Sequence, residues 1–250
     1  MTSKWMKTLA FQLKDYGDDF RAAASRIREV EVVDIDSSPD VVVSDDNEET
    51  FGGKPVLLVG SSPKMQNIPS GKIFPAFPGR FSPQAMAIRE SVDTGNLGKP
   101  ALLRMHVWGT VSDPVNESAK IGAVDLALWL VGEEADAVFL SGNSNAECVH
   151  LGFASGAMAM LDFTSALPEG DGYHSLNLIG SRGAAYADDH RNRNLLFDGG
   201  SPAATAPAFQ GAYIQPMLED FVRAVTEGRS SNKACEEYRK AEKIIRSARP

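Results

Sequence analysis

The chain has 250 residues, 43% of them hydrophobic and 23% charged, with a mean hydropathy of -0.20. That is enough apolar material for a sizeable core in one or two domains. A formal net charge of -8 and a sequence pI of about 5.1 exclude nucleic acid and anionic membranes as natural partners, the more so because acids crowd the stretch from Asp34 to Glu49. No apolar run approaches the roughly 18 residues of a membrane span. The N-terminal stretch is broken by Lys7, Gln12 and Lys14 and lacks a signal-peptide pattern. Cys148 and Cys235 stand far apart and outside any CxxC spacing, which argues against a disulfide framework and against a zinc site. A reducing, cytoplasmic setting is the simple expectation.

Residues 5–77 read as short strands around one helix. KTLAFQL, VEVVDI, DVVV, PVLLV and KIFPAF are short, nearly continuous apolar runs, the pattern of strands buried on both faces in a parallel sheet. Between the first two, YGDDFRAAASRIRE carries Phe20, Ala24 and Ile27 at helical spacing, with Asp18 and Asp19 at its positive end. VEVVDI and DVVV are separated only by the short link from Asp36 to Pro39. That is too little for a helical crossover between parallel strands, which needs about a dozen residues. This half is an abbreviated α/β domain.

Pro75, Pro78, Gly79 and Pro83 mark a boundary near residue 78. SPQAMAIRESVDTG follows as a helix capped by Ser82 and stopped by Gly95. PALLRMHVWG, DAVFLSG, ECVHLGF, GAMAMLDF, HSLNLIG and AAYAD read as strands, with GFASGA and GSRGA as hairpin turns. A short helix, AVDLALWLVG, interrupts the series. The RNRN run after Asp189 and SPAATAPAF at 201–209 read as loops. PMLEDFVRAVTEG and ACEEYRKAEKIIRSA close the chain as amphipathic helices. The expected fold is α/β plus α+β: a domain over 1–77, then one over 78–250 with a mostly antiparallel sheet and helices on one face.

Several phrases, in this order, resemble the glucose-fructose oxidoreductase / inositol dehydrogenase (Gfo/Idh/MocA) family. GRFSP resembles the Arg-Arg-Phe-x-Pro segment that opens its second domain, and TGNLGKPALLRMHVWG its Gly-x-Ile/Leu-Gly-x-Pro turn and central strand. VDLALWLVGEEADAV is similar to its Asp-Leu-x-x-Trp-Leu helix. FASGAMAMLDFTSA and LNLIGSRGAAYAD resemble its hairpin and Gly-Ser-x-Gly turn, and LEDFVRAVTEGR its closing helix. The likeness covers roughly residues 79–247. The N-terminal half then reads as a shortened Rossmann-like domain, and the resemblance implies that the open face of the second sheet pairs with another subunit, in a homodimer or higher oligomer.

The chain departs from that family where its chemistry resides. QLKDYGDDF stands in place of a G-x-G-x-x-G loop and holds one glycine, Gly17, among Asp15, Asp18 and Asp19. Carboxylates are the wrong charge where pyrophosphate belongs. The family's proton-transferring Lys aligns with Gly60 or Ser62; an alternative alignment gives the role to Lys54, ahead of its strand. The family's His-x-x-Asp falls on Gly122 to Asp125, so the acid is kept and the base is not.

The candidate catalytic residues are therefore Asp125, His106 and Lys54, with Arg80 and Trp108 for substrate. Each has a structural reading beside it. Asp125 also suits the start of a helix, Arg80 a domain junction, and His106 and Trp108 an interface, since they share a strand face with Leu102 and Arg104. His150, His174 and His190 lack metal-ligand spacing. No P-loop and no Gly-x-Ser-x-Gly elbow occurs. The expectation is a family member that binds a sugar-like ligand or a partner, with no cofactor and no metal. The alternatives are an active NAD(P)-dependent oxidoreductase on a sugar or polyol and an oligomeric scaffold.

Overall fold

The computed structural model describes residues 6–14, 17–45, 51–60, 71–143, 145–168, 172–188, 193–197, 203–205 and 211–247. The chain divides into two compact units, Met1–Phe81 with Gly211–Lys240, and Ser82–Gln210 with Ala241–Pro250. The first of the two closing helices thus belongs with the first unit, where the sequence pattern assigns everything from 78 onward to the second.

The first unit is built on a five-stranded parallel sheet: β1 (Lys7–Gln12), β2 (Val30–Val32), β3 (Val41–Ser44), β4 (Val56–Leu58) and β5 (Ile73–Pro75), in the order β2-β1-β3-β4-β5. Leu9, Ala10, Val41, Val42 and Val43 are fully buried, as the continuous apolar runs require. VEVVDI does pair in parallel with β1, although the connection to DVVV has no crossover helix. The register explains how. β2 pairs with Lys7 to Leu9 and β3 with Leu9 to Gln12, on opposite sides of β1. β2 therefore ends at the level where β3 begins, and the link crosses sideways through one 3-10 turn, Ile35–Ser37, without travelling back along the sheet. Asp40 anchors this crossing. Its carboxylate accepts from the Thr8 amide (3.0 Å) and hydroxyl (3.1 Å), and the amide bond holds its pKa below the usual carboxylate range.

Helix α1 (Gly17–Ala24) buries Phe20, Ala23 and Ala24. Its neighbour is α4 (Ile214–Thr226), whose Ile214, Met217, Leu218 and Phe221 join Leu9, Phe11, Val41, Val43 and Leu57 in one core. The apolar stripe of α4 thus finds its partner across almost the whole sequence.

The second unit holds α2 (Pro83–Asp93), α3 (Glu117–Val131) and an eight-stranded sheet. Its strands are β6 (Pro100–Thr110), β7 (Ala135–Gly142), β8 (Ala146–Phe153), β9 (Met158–Leu167), β10 (Tyr173–Gly180), β11 (Ala184–Asp188), β12 (Arg193–Phe197) and β13 (Ala203–Thr205). The order is β13-β12-β11-β10-β6-β9-β8-β7, antiparallel except for β6 beside β9. β12 and β13 correct the expectation of loops after Asp189 and over 201–209. Ser82 caps α2 as expected, its Oγ accepting from the Ala85 amide at 3.2 Å. The last helix, α5 (Asn232–Ser247), runs from residues counted with the first unit into residues counted with the second.

The two glycine turns of the second unit dock on each other. The Lys99 amide donates to Ser181 Oγ (3.0 Å), the Ser181 amide to the Lys99 carbonyl (2.9 Å) and the Arg182 amide to the Leu97 carbonyl (3.0 Å). Gly98 has φ +72, and a Cβ there would run into Ser181 Oγ. TGNLGKP and GSRG, separate turns in sequence, form one feature that fixes the start of β6 against the end of β10.

Candidate functional site

An open parallel sheet binds ligands outside the C-terminal ends of its strands, where the strand order reverses. In the first unit that point lies between β1 and β3. There the Lys14 amide donates to Asp45 Oδ2 at 2.8 Å, while the Asp45 amide donates to the Gln12 carbonyl at 3.2 Å. An amide of the loop after β1, the group type that faces pyrophosphate in a dinucleotide site, is therefore held by a carboxylate from the chain itself. Asp18 and Asp19 are exposed in the first turn of α1, whose positive end adjoins the same crevice. These residues do not fit a dinucleotide. Asp15 lies outside the described residues, as do Ser62 and His190.

Lys54 does not reach this crevice. It precedes β4, its amide closing a turn on the Phe51 carbonyl, and so stands at the N-terminal edge of the sheet, opposite the end where ligands bind. Its position in sequence, before its strand, dictates this. Arg80 is engaged structurally: its Nη1 lies 2.8 Å from Glu237 Oε2 and its guanidinium 4.2 Å from the Phe77 ring centre. It ties the 3-10 turn Pro78–Phe81 to α5.

Asp125 is 2% exposed and sits in the third turn of α3. The helix begins at Glu117, where Asn116 Oδ1 caps the Ala119 amide (2.9 Å), six residues before the start read from sequence. The structural reading of Asp125 as an N-terminal carboxylate therefore falls. One turn earlier, a Cβ on Gly122 would meet nothing within 4 Å.

His106 and Trp108 are brought together, their ring centres 5.1 Å apart, but away from Asp125. Helix α3 covers the face of Leu103, Met105 and Val107, as shown by Lys120 Nζ lying 5.8 Å from the ring centre of Phe163, the partner of Val107 in β9. His106 and Trp108 occupy the other, open face. There His106 Nδ1 lies 3.0 Å from Asp162 Oδ2, close but without hydrogen-bond alignment, and Trp108 packs 4.9 Å from the Tyr173 ring centre. Cys148 Sγ is 3.2 Å from His150 Nε2, and burial together with a bond to Asp162 pushes the thiol up to about 12. Sequence reasoning missed Asp162, Tyr173 and Asp45. Strand alternation in MAMLDF was the available signal for the first; Asp45 was hidden inside an acidic run.

No family model matches the chain. The inositol 2-dehydrogenase of Rhizobium meliloti is 26% identical over 196 residues, covering 68% of this chain and 56% of that protein. The myo-inositol 2-dehydrogenase of Thermotoga maritima is 25% identical over 145 residues, covering 50% and 43%. In sequence the chain is similar to these inositol dehydrogenases, which are Gfo/Idh/MocA-type oxidoreductases. It spans about half the length of the curated relatives it matches. A solved oxidoreductase from Agrobacterium radiobacter, itself in complex with NAD+, L-tartaric acid and magnesium, superposes with a TM-score of 0.75 at 11% identity, over 98% of this chain and 95% of that one. That likeness is one of fold, a Rossmann-like parallel sheet followed by a mixed sheet with helices. Among the described residues, no three His, Cys, Asp or Glu groups are placed to hold a metal ion, and no helix is long and apolar enough to cross a membrane.

Proposed function

We propose that this chain is a Gfo/Idh/MocA-type protein without ordinary NAD(P)-dependent turnover, which binds a sugar-like ligand and pairs with a second copy through the open sheet face. The observation that carries the reading is the Lys14–Asp45 bond at the crevice between β1 and β3. A pyrophosphate arriving there must break that bond and then sit near three carboxylates, each opposing it by on the order of 1 kcal/mol at the surface. Two further facts support it: Gly122 offers no base beside Asp125, and Lys54 lies at the wrong edge. Asp125, buried and kept, is the group that supports a sugar-like ligand in the second unit.

Titration of the protein with NADH and NADPH by fluorescence tests the proposal. The expected outcome is no saturable binding below millimolar concentration; micromolar affinity for either coenzyme sinks it. A second reading, an active NAD(P)-dependent oxidoreductase on a polyol or sugar, is favoured by the similarity to inositol dehydrogenases. It requires coenzyme reduction with at least one polyol, reduced by Asp125→Asn.

A further inference from the structure

Strand β7 closes one edge of the eight-stranded sheet, and most of its length carries nothing that blunts that edge. An edge strand leaves a row of amides and carbonyls open to another strand, and proteins protect such rows with charges, prolines or bulges. In β7 that protection is confined to Asp136, where the register against β8 slips between Ala135 and Ala137. From Ala137 to Ala146 the sequence holds no charged residue and no proline. Apolar groups are bare on both sides of the strand. Phe139, opposite His150 on the open face, is 65% exposed. Val138 stands opposite the buried Leu151 on the helix-covered face, yet is itself 41% exposed. The core layer of that face thus runs out to the edge uncovered. The other edge of the sheet, β13, is three residues long.

We infer that β7 pairs antiparallel with the β7 of a second copy, about a twofold axis perpendicular to the sheet through Phe139, so that the two sheets continue as one. Such an axis keeps each sheet face on its own side. Phe139 then meets the partner's Phe139, Val138 the partner's Leu140, and Ala137 the partner's Ser141. Aromatic and apolar cross-strand pairs of this kind stabilise a sheet. The register also uses the whole free edge, because Asp136, at the bulge, falls opposite the partner's Gly142. It keeps the acids apart as well. The two Asp136 carboxylates stand six positions apart along the seam, about 20 Å, beyond the screening length of roughly 8 Å in physiological salt. An axis through Ala137 would bring them within two positions of each other and set each opposite the partner's Val138. This match of the strand with its own reverse selects a second copy over a foreign strand, and pairing consumes both edges, so that growth stops at two. The seam lies at the edge of the sheet, apart from the face-to-face contact proposed above, and does not depend on it.

A seam of seven residues a side, against the roughly 20–30 of a standard interface, sets a weak association, on the order of 10–100 µM. Sedimentation velocity of the full chain from about 1 to 200 µM should show whatever species is present at the lowest concentration doubling its mass reversibly. Val138→Lys, on the covered face and so outside any contact of the open face, should raise the midpoint at least about tenfold. No doubling, or a doubling that Val138→Lys leaves unchanged, overturns the seam. A second measurement reads the register without relying on that variant. In a Cys148→Ser background, Phe139→Cys should oxidise to a disulfide between two copies, since residues opposite each other lie about 5 Å apart in antiparallel strands. Val138→Cys should not, because its own copy lies about 8 Å away on the diagonal. A Phe139→Cys chain that stays unlinked at 200 µM (about twice the expected midpoint or more), or a Val138→Cys chain that links to itself as readily, overturns this geometry.

Discussion

Asp162 lies beside His106 on one side and Cys148 on the other. For the thiol, burial and the carboxylate beside it both disfavour the thiolate, and Arg104 only partly offsets them. With a pKa of about 12, the thiolate fraction at pH 8 is on the order of 1 in 10,000. Cys148 should therefore alkylate far more slowly with iodoacetamide at pH 8 than a free cysteine, and Asp162→Asn should speed it about tenfold by removing the charge that opposes ionisation. Mass mapping after timed labelling separates Cys148 from Cys235; fast labelling of Cys148 in the unmodified chain contradicts the assignment. At the same scale, Gly98→Ala forces a side chain into left-handed backbone and into Ser181 and Arg182. A loss of about 2–3 kcal/mol is expected in urea unfolding, and a loss below about 0.5 kcal/mol means that the two turns are not docked.

Among the elements, α4 decides which unit the end of the chain stabilises. Leu218 is fully buried among residues of β1, β3 and α1. Leu218→Ala should cost about 2–5 kcal/mol, the range for a large core deletion with incomplete collapse. The loss should fall on the first unit, read as faster exchange of the β1 and β3 amides, with β6 and β9 less affected. If β6 and β9 lose protection first, α4 stabilises the second unit. The amphipathic stripe of α4 was legible in the sequence; its partner was not, because a stripe states that one face is buried and nothing about which sheet buries it. The same gap explains α3. Apolar spacing marked AVDLALWLVG, whereas the preceding turn, capped by Asn116 and holding Lys120 to the Glu147 carboxylate at 2.5 Å, carries mostly polar or small residues.

For the molecule as a whole, the proposed function requires two independent losses, that of the coenzyme seat and that of the base. Gly122→His has space around the Cβ and would place an imidazole one helical turn before Asp125. This variant should fold, shown by an unchanged thermal transition within a few degrees (about 1 kcal/mol). It should still fail to reduce NAD+ with myo-inositol, because the first unit still closes its crevice with Asp45. Turnover by Gly122→His alone would mean that the coenzyme site was intact and that only the base was missing.

The glycine-poor, acid-rich stretch after β1, the ordered phrases of the second unit and the two-face burial of the first sheet were all legible in the sequence by itself, because each depends on residue type and local spacing. Only the tertiary structure decided that Asp45 turns its carboxylate onto the Lys14 amide, that His106 and Asp125 stand on opposite faces of one sheet, and that α4 completes the first core. Those outcomes depend on which distant segments meet, and local spacing carries no record of that.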